Sequence, residues 1–243
     1  MQIKVFGQHF GIHKVWLLIT LTVFIILSKL GYWQLQRATE KTMQISQLEQ
    51  LQQQGAINWQ QLALLTPAAA DGVLFAGSGH WLAPYIWLLD NRIVAGKVGY
   101  DVIIPVQNSE TNWVLLVNLG WVAAGDNRAL LPELAIPAEF QLQGLIRSKV
   151  GSFRLGANTE SEGWPQRIQQ PELTEMAAQL PLKSFLLLLY QQDNSPFLPH
   201  YQAVVMPPEK HHGYAFQWFM LAIAVLAVAL AAARRSGREN EQK

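Results

Sequence analysis

The sequence predicts an α+β membrane protein, in which two transmembrane helices flank a mainly antiparallel β domain that carries one or two helices of its own. Two observations support this fold class. Each end of the chain carries an apolar run of about 20 residues, the length that an α-helix needs to cross a bilayer. Between the runs, short segments rich in Val, Ile, Leu and aromatic residues alternate with polar turns, which is typical of an antiparallel sheet or a partly closed barrel.

The first apolar run extends from 15 to 33, and its only charge is Lys29 near the far end. A lysine there can extend its ammonium group to the interface while its methylene groups stay in the apolar phase. Lys14 precedes the run, as in a signal peptide, but no small-x-small cleavage pattern follows it, so we expect an uncleaved anchor. From 34 to 54 Gln and Glu dominate while Leu and Ile recur near helical spacing, which predicts a helical stalk. A coiled coil is less favoured, since no strict heptad persists.

The central part of the chain is predicted to consist of strands joined by short turns. The predicted strands are 72–81, 86–94, 99–106, 113–122, 139–147, 184–192 and 201–206. Segment 107–112 is polar and predicts a hairpin loop, and 90–92 favours a tight turn. The clearest helix of this domain is 171–180, which has Pro at its start and is stopped by Pro181.

The second apolar run, 214–233, carries no charge and one strongly polar residue, Gln217. Its length and composition predict a second membrane anchor rather than a buried core helix.

The distribution of Lys and Arg near the two runs predicts the orientation of the chain. On the terminal side lie Lys4, Lys14, Arg234, Arg235, Arg238 and Lys243. On the domain side, near the runs, lie Arg37, Lys41 and Lys210. Since positive charge accumulates on the cytoplasmic side, we expect a multi-pass protein with both termini in the cytoplasm and the central domain across the membrane. That side is the periplasm for a bacterial inner membrane, or the equivalent side of another energy-coupling membrane.

These observations together predict six parts. They are a cytoplasmic tail at 1–14, a transmembrane helix at 15–36, a stalk or connector at 37–71, a periplasmic β-rich domain at 72–210, a second transmembrane helix at 211–233 and a cytoplasmic tail at 234–243.

Composition excludes several classes of function. The formal net charge is +1, so no large basic field would attract nucleic acid, and we expect no such partner. The chain has no cysteine, which excludes disulfides, thiolate metal sites and covalent attachment of c-type haem. Segment 76–80, Ala-Gly-Ser-Gly-His, superficially resembles a nucleophile elbow, but its glycines do not fit G-x-S-x-G, and we interpret it as a tight turn or bulge. We therefore predict no catalytic residue and no enzyme activity.

The histidines before the second apolar run are the best candidates for a binding site. On a helix His211, Tyr214 and Trp218 would share a face, because their spacing is i, i+3, i+7. His211 and Trp218 would then lie about 10 Å apart along the axis, comparable with the width of a porphyrin. A neutral imidazole is a good axial ligand for haem iron, and an aromatic face can pack on the macrocycle. Alternatively, these residues form an interfacial anchor belt without any cofactor.

Five segments, in order, form a pattern that extends through nearly the whole chain. They are Gly-Tyr-Trp-Gln-Leu-Gln-Arg at 31–37 with Lys41; Leu-Asp-Asn-Arg at 89–92 with Gly96 and Gly-Tyr-Asp-Val at 99–102; Val-Asn-Leu-Gly-Trp-Val at 117–122; Trp-Pro-Gln-Arg-Ile at 164–168; and Pro-Pro-Glu-Lys-His-His-Gly-Tyr-Ala-Phe-Gln-Trp-Phe at 207–219. In this order and spacing they resemble the Surfeit locus protein family, the cytochrome c oxidase assembly factors. The chain departs from that pattern at Leu119, where the family usually carries Arg.

The resemblance implies a protein that helps to build the haem- and copper-containing subunit of the oxidase. Bacterial members are associated with binding haem a and assisting its delivery. The family's proposed ligand histidine falls on His211 and its tryptophan on Trp218, with His212 as a second candidate ligand and Tyr214 beside them. We therefore expect a non-catalytic assembly factor whose partners are membrane lipid and either the oxidase subunit or the haem a synthase. The alternative is a cofactor-free membrane scaffold that stabilises an assembly intermediate.

Overall fold

The computed structural model describes residues 2–5, 8–11, 14–125, 130–150, 163–192 and 194–241. Along the chain the elements are β1 (Gln2–Val5), β2 (Gln8–Gly11), α1 (Lys14–Gln53), α2 (Trp59–Ala63), α3 (Pro67–Ala70), β3 (Leu74–Trp81), β4 (Trp87–Val94), β5 (Lys97–Gln107), β6 (Val114–Ala123), β7 (Glu139–Arg147), β8 (Gln166–Ile168), α4 (Leu173–Ala178), β9 (Ser184–Gln191) and α5 (Pro208–Glu241). They form two compact units, one from Met1–Gln47 with Val204–Lys243 and the other from Leu48–Ala203. The predicted fold class is confirmed.

The first unit contains most of the length of the two long helices, α1 and α5. Both are long and apolar enough to cross a membrane, and only 6% and 11% of their most apolar windows is buried within the protein. A core helix of a soluble protein would be largely covered, so the exposed apolar side chains indicate membrane association. The helix α1 is continuous, and the Gln- and Glu-rich segment after the apolar run is part of it. The membrane boundaries themselves stay predictions.

The two helices pack antiparallel. Gly31 of α1 lies against Phe219 of α5, and Gln34 lies against His211, so positions rise along one helix as they fall along the other. The least exposed positions of α1 include Thr20, Phe24, Leu27, Gly31, Gln34 and Ala38. Those of α5 include His211, Ala215, Trp218, Ala222, Val225 and Ala229. Both series alternate steps of four and three, the spacing of a left-handed helix pair.

The second unit is a partly closed barrel. Its strand order is β3-β7-β9-β6-β5-β4-β8, and β3 also pairs with β5 through His80 with Gln107 and Trp81 with Val106. The five strands β3, β7, β9, β6 and β5 therefore form a closed ring. The strands β4 and β8 continue the sheet beyond β5, outside this ring. Most pairings are antiparallel, as predicted, but β6 pairs with β9 and β4 pairs with β8 in parallel.

Two apolar clusters fill the second unit, one on each side of the strand β5. The main cluster lies within the barrel and includes Phe75, Tyr100 and Leu119, with Trp59 and Leu62 of α2 closing one side. The second cluster lies on the opposite face and includes Trp87, Ile103, Leu116, Leu188 and, from α4, Met176. Because both faces are covered, β5 is buried almost continuously instead of alternating.

Two local predictions of the strand pattern are wrong. Segment 201–206 is not a strand; the chain there is irregular and only Leu198, just before it, bridges to Trp121 of β6. Segment 90–92 lies inside β4, where the pairing register shifts and Asn91 has a φ of 57°, so it is a β-bulge. The hairpin turn comes later, at Ala95 and Gly96, which both have positive φ as a two-residue turn requires.

Segment 76–80 also differs from its prediction, because it lies within the strand β3. Its glycines permit close approach rather than a turn. A Cβ at Gly77 would lie 2.7 Å from Nε1 of Trp59, and one at Gly79 would lie 2.6 Å from the carbonyl oxygen of Gln107. The absence of side chains at these two positions thus allows α2 and β5 to pack directly on the strand.

Candidate functional site

His211 lies in the first turn of α5. The helix begins at Pro208, and proline suits this position because it lacks the N–H that would be unpaired there. The imidazole is 7% exposed, and its Nδ1 lies 2.8 Å from Oε1 of Gln34 on α1. An amide oxygen only accepts, so Nδ1–H donates and the ring is in the tautomer whose lone pair is on Nε2.

The second ring nitrogen of His211 is the unusual feature of this site. Nε2 is buried and finds no hydrogen-bond partner among the described residues. A buried polar atom without a partner costs about 1–3 kcal/mol. Metal-ligating histidines characteristically donate their other ring N–H to an acceptor, which fixes the tautomer and orientation of the ring. The donor chemistry of His211 therefore fits a haem ligand through Nε2. Nε2 is covered here, so ligation at this atom requires its surroundings to open locally.

The other predicted site residues occupy different faces of α5. Trp218 is partly buried and, seven residues after His211, lies on the side of the helix that faces α1. Tyr214 is 43% exposed and His212 is exposed, so both point away from that contact. The structure thus brings His211 and Trp218 to one face and leaves His212 and Tyr214 outside it.

Gln34 is a site residue that the sequence analysis did not select. It belongs to segment 31–37, one of the segments that carry the family resemblance, and that was the available signal. Nothing in the sequence indicated that it faces His211. Within the part of the chain that the structure describes, no three His, Asp or Glu side chains are grouped as a metal site.

A buried polar cluster in the second unit was also not predicted. Its centre is Asp101 of β5, which is 4% exposed. Oδ1 of Asp101 lies 2.5 Å from Nε2 of His200, and Oδ2 accepts a hydrogen bond from Nδ2 of Asn118 at 3.1 Å. Nε of Arg92 lies 3.7 Å from Oδ2. Bulges in β4 and between β5 and β6 shift the register beside these residues, and such shifts redirect side chains towards a common face.

A second network adjoins the cluster. Asp71 accepts hydrogen bonds from Nε of Arg147 at 3.2 Å and from the backbone N–H of Ser148 at 2.7 Å, and Arg147 also contacts the Tyr201 hydroxyl at 2.7 Å. The ring of Tyr201 stacks on that of Tyr190 with centroids 3.7 Å apart.

In this network the shifts in pKa keep the Asp71 carboxylate charged and the two tyrosine hydroxyl groups protonated. Burial alone would raise the pKa of Asp71, but the Ser148 N–H and the Arg147 guanidinium outweigh it and hold that pKa below 3.8. Burial, and then the neighbouring Tyr201 and Asp101, raise the pKa of Tyr190 well above its usual value of 10. Burial likewise raises the pKa of Tyr201.

The polar contacts of these two networks hold the segment after β9 in place on the barrel. Gly120, with a φ of 110°, lets this segment approach, since a Cβ there would lie 2.6 Å from the carbonyl oxygen of Leu198. A cavity of about 10 Å³ lies between Tyr190, His200 and Tyr201. It has room for about one water molecule, so the cluster is structural rather than a cofactor pocket.

One further constellation concerns the prediction that the chain has no catalytic residue. Oγ of Ser109 lies 2.8 Å from Nδ1 of His80, and Nε2 of His80 lies 3.6 Å from Oε1 of Glu139. The side chains of His80 and Glu139 are 53% and 82% exposed, and Ser109 is exposed too. Such an exposed pair is screened by water, which weakens the interaction between the two side chains.

Comparison with known proteins identifies the family. The profile of the SURF1 family matches residues 21–223, which include most of α1, the whole barrel unit and the first half of α5. The chain belongs to the SURF1 family. The resemblance found in the sequence motifs is thereby confirmed, and SURF1 is a family of oxidase assembly factors.

Curated relatives agree with this assignment. A SURF1-like protein of Rickettsia felis is 24% identical over 221 residues, which cover 87% of this chain and 93% of the relative. A SURF1-like protein of Rickettsia bellii is 25% identical over 221 residues, which cover 87% of this chain and 88% of that relative. The family match, over residues 21–223, is not confined to one unit, since it begins in α1 and ends within α5.

Proposed function

We propose that this protein is a non-catalytic assembly factor for the respiratory cytochrome c oxidase that binds haem a transiently and assists its insertion into the catalytic subunit. The single observation that carries the proposal is the state of His211. Its Nδ1 is engaged by Gln34, while its Nε2 is buried without a partner among the described residues. An axial ligand needs one ring nitrogen oriented by an acceptor and the other not engaged by a protein partner, and His211 has both features.

The residues around His211 suit a carrier rather than a permanent holder of haem. Gln34 orients the imidazole, and Trp218 offers an aromatic ring two turns further along the same side of α5. One histidine supplies one protein ligand, so the affinity for the cargo is modest and the cargo can be passed on. The iron and porphyrin provide the redox chemistry of the oxidase, and here they are cargo.

The same proposal includes a location and partners. The two apolar helices anchor the chain in the inner membrane of a bacterium, with both termini cytoplasmic and the barrel unit periplasmic. Support for this orientation comes from the basic residues at the chain ends, among them Lys14, Arg234 and Arg235. The protein partner is the catalytic subunit of the oxidase or the haem a synthase.

Replacement of His211 tests the proposal directly. The full chain is expressed together with the enzymes of haem a synthesis and purified in detergent, and its visible spectrum is recorded. We expect a Soret band that the His211→Ala variant loses. Gln34→Ala should lower the affinity for haem about 10–100-fold, because the His211 ring then lacks the acceptor that orients it.

His212→Ala is the matched control for this experiment, since it removes the same side chain at the neighbouring, exposed position. It should retain the band. A spectrum unchanged by His211→Ala would remove His211 from the proposed role.

A cofactor-free scaffold is the second candidate, and one observation favours it. The Nε2 atom of His211 is covered, and the hydrogen bond between His211 and Gln34 joins the two helices, as a purely structural contact would. The two candidates differ in a co-purification experiment with the oxidase subunits. Full co-purification by the His211→Ala, His212→Ala double variant, together with the absence of haem from the unaltered protein, would favour the scaffold.

A further inference from the structure

The first turn of α5 carries a basic side chain beside His211. Lys210 immediately precedes this histidine, and its side chain is exposed. Within the described part of the chain its ammonium group forms no hydrogen bond and no ion pair. Lys210 can therefore bind an anion that approaches this turn without first giving up a partner.

The basic residues on the facing part of α1 are already engaged. Arg37, one turn beyond the contact of Gln34 with His211, forms an ion pair with Oε2 of Glu40 at 2.7 Å. Nζ of Lys41 donates a hydrogen bond to Oε1 of a glutamine, also on α1, at 3.0 Å. Neither cation is available without the loss of an existing contact, whereas the ammonium group before His211 is.

Helix geometry directs the Lys210 side chain towards the polar end of α5. Successive residues of an α-helix are about 100° apart around its axis, so Lys210 emerges beside His211 rather than opposite to it. Side chains on a helix lean towards its N-terminus, so the lysine extends away from the apolar run. Tyr214 and Trp218 lie on the other side of His211, towards that run. The surroundings of His211 are therefore polar at one end and apolar at the other.

The electrostatic potential at the polar end favours an anion near Lys210. The N-terminus of a long helix carries a partial positive charge, which adds to that of the ammonium group. Glu209 is the acidic residue beside them, and it is exposed. It lies about 200° around the axis from His211, so its carboxylate is on the far side of α5 from the imidazole.

We propose that Lys210 binds a propionate carboxylate of the haem whose iron His211 ligates. The inference rests on the proposed function, since it concerns the same cargo at the same site. Haem is amphipathic, because its ring is apolar while its two anionic propionate groups lie along one edge. Lys210 thus orients the cargo, with the propionate edge at the polar end of α5 and the opposite edge towards Trp218.

The contact contributes orientation more than affinity. An ion pair between exposed groups raises affinity only about two- to fivefold, because water screens both charges. A contact of this strength selects one of two ways of inserting the ring and still allows the cargo to leave. Such a role is that of a positioning residue beside the ligand histidine.

Haemin and haemin dimethyl ester test the contact, because the ester keeps the iron and the ring but has no anionic carboxylate. Each probe is titrated into the purified full-length protein in detergent, and binding is followed by the Soret band. Lys210→Gln should lower the affinity for haemin about two- to fivefold and leave the affinity for the ester unchanged. Lys210→Arg keeps the charge and should bind haemin as the unaltered protein does.

Three further variants serve as controls. Lys97→Gln removes an exposed positive charge from the strand β5 and should leave the affinity for both probes unchanged. Arg37→Gln removes a charge that Glu40 already engages, so its effect on haemin should be smaller than that of Lys210→Gln. His211→Ala should weaken the binding of both probes alike, because both are ligated through the iron.

The possible results separate this inference from the proposed function. If both probes bind and Lys210→Gln weakens them by the same factor, or weakens neither, the inference is wrong while haem binding stands. An effect of Arg37→Gln on haemin as large as that of Lys210→Gln would also overturn it. If the unaltered protein binds neither probe, haem binding itself is wrong and the inference fails with it. Lys210 is exposed, so its replacement removes no packing contact on which folding depends.

Discussion

Two imidazoles of this chain have the same chemistry and different surroundings. Nε2 of His200 is engaged by the carboxylate of Asp101, so this ring holds a loop on the barrel. His211 directs Nδ1 towards a neutral amide of Gln34 and leaves Nε2 without a partner among the described residues. The number of histidines in the sequence does not separate these roles, whereas the partner of each ring nitrogen does.

The Asp101 cluster makes a prediction about stability. Asp101→Ala leaves His200, Asn118 and Arg92 without their common acceptor. We expect a loss of about 2–4 kcal/mol and a Tm lower by about 5–15 °C, because removing one partner of a buried charged group strands the others. Thermal unfolding of the detergent-solubilised chain, followed by tryptophan fluorescence, measures the change. The control is Glu110→Ala, which removes an exposed carboxyl group and should shift Tm little; equal shifts would contradict the assignment.

The lowered pKa of Asp71 predicts that the stability of the folded protein depends on pH. The Ser148 N–H and the Arg147 guanidinium outweigh the effect of burial and lower its pKa in the folded protein, whereas an aspartate in an unfolded chain titrates near 3.9. The carboxylate therefore contributes stability that is complete above about pH 4 and is lost as the pH falls through the folded pKa. Asp71→Asn should unfold at a lower temperature than the unaltered protein at pH 7, and the difference should shrink towards pH 3. A difference that stays constant over this range would contradict the prediction.

The two long helices show how an element can be predicted while its packing is not. Apolar length and composition predicted both helices, but they did not predict that the two helices contact each other with the spacing of a coiled coil. The reason is that several contact positions hold small or polar residues, among them Gly31, Gln34 and Ala38, instead of the large apolar residues of a usual heptad. In a membrane such residues favour close approach, because lipid removes the hydrophobic advantage of large ones.

The close contact between Gly31 and Phe219 gives a testable prediction about the packing of the two helices. Gly31→Leu places a side chain where the Phe219 ring lies, so the helices must separate, at a cost of about 1–3 kcal/mol. The matched control is Gly213→Leu, because a Cβ at Gly213 meets nothing within 4 Å. Thermal unfolding compares the two variants. Phe219→Ala in the Gly31→Leu background should recover part of the loss, and strictly additive effects of the two substitutions would show that the residues are not in contact.

The topology of the barrel couples distant parts of the chain. The last strand, β9, lies between β7 and β6 and pairs with β6 in parallel, so the sheet is completed only after nearly all of the domain has been synthesised. Both apolar clusters are drawn entirely from the second unit, Leu48–Ala203. That unit therefore contains the core it needs to fold.

Two fragments test this independence. A fragment of residues 48–203 should be soluble and unfold cooperatively, with the near-ultraviolet circular dichroism of packed aromatic rings. A fragment of residues 48–183, which lacks β9, should lose that signal because β6 and β7 have no strand between them. A native-like spectrum from the shorter fragment, or an unfolded longer one, would contradict the prediction.

The sequence by itself determined the two apolar helices, six of the strands, the fold class and the family, since each depends on composition, periodicity or local motifs. It also selected His211. Only the tertiary structure decided the acceptor that fixes the His211 ring, the bulge at 90–92 that the sequence favoured as a turn, and the meeting of Arg92, Asp101, Asn118 and His200 around one carboxylate. These features depend on strand register and on the contact of helices that are far apart in the chain, and local sequence does not record which residues will meet across such distances.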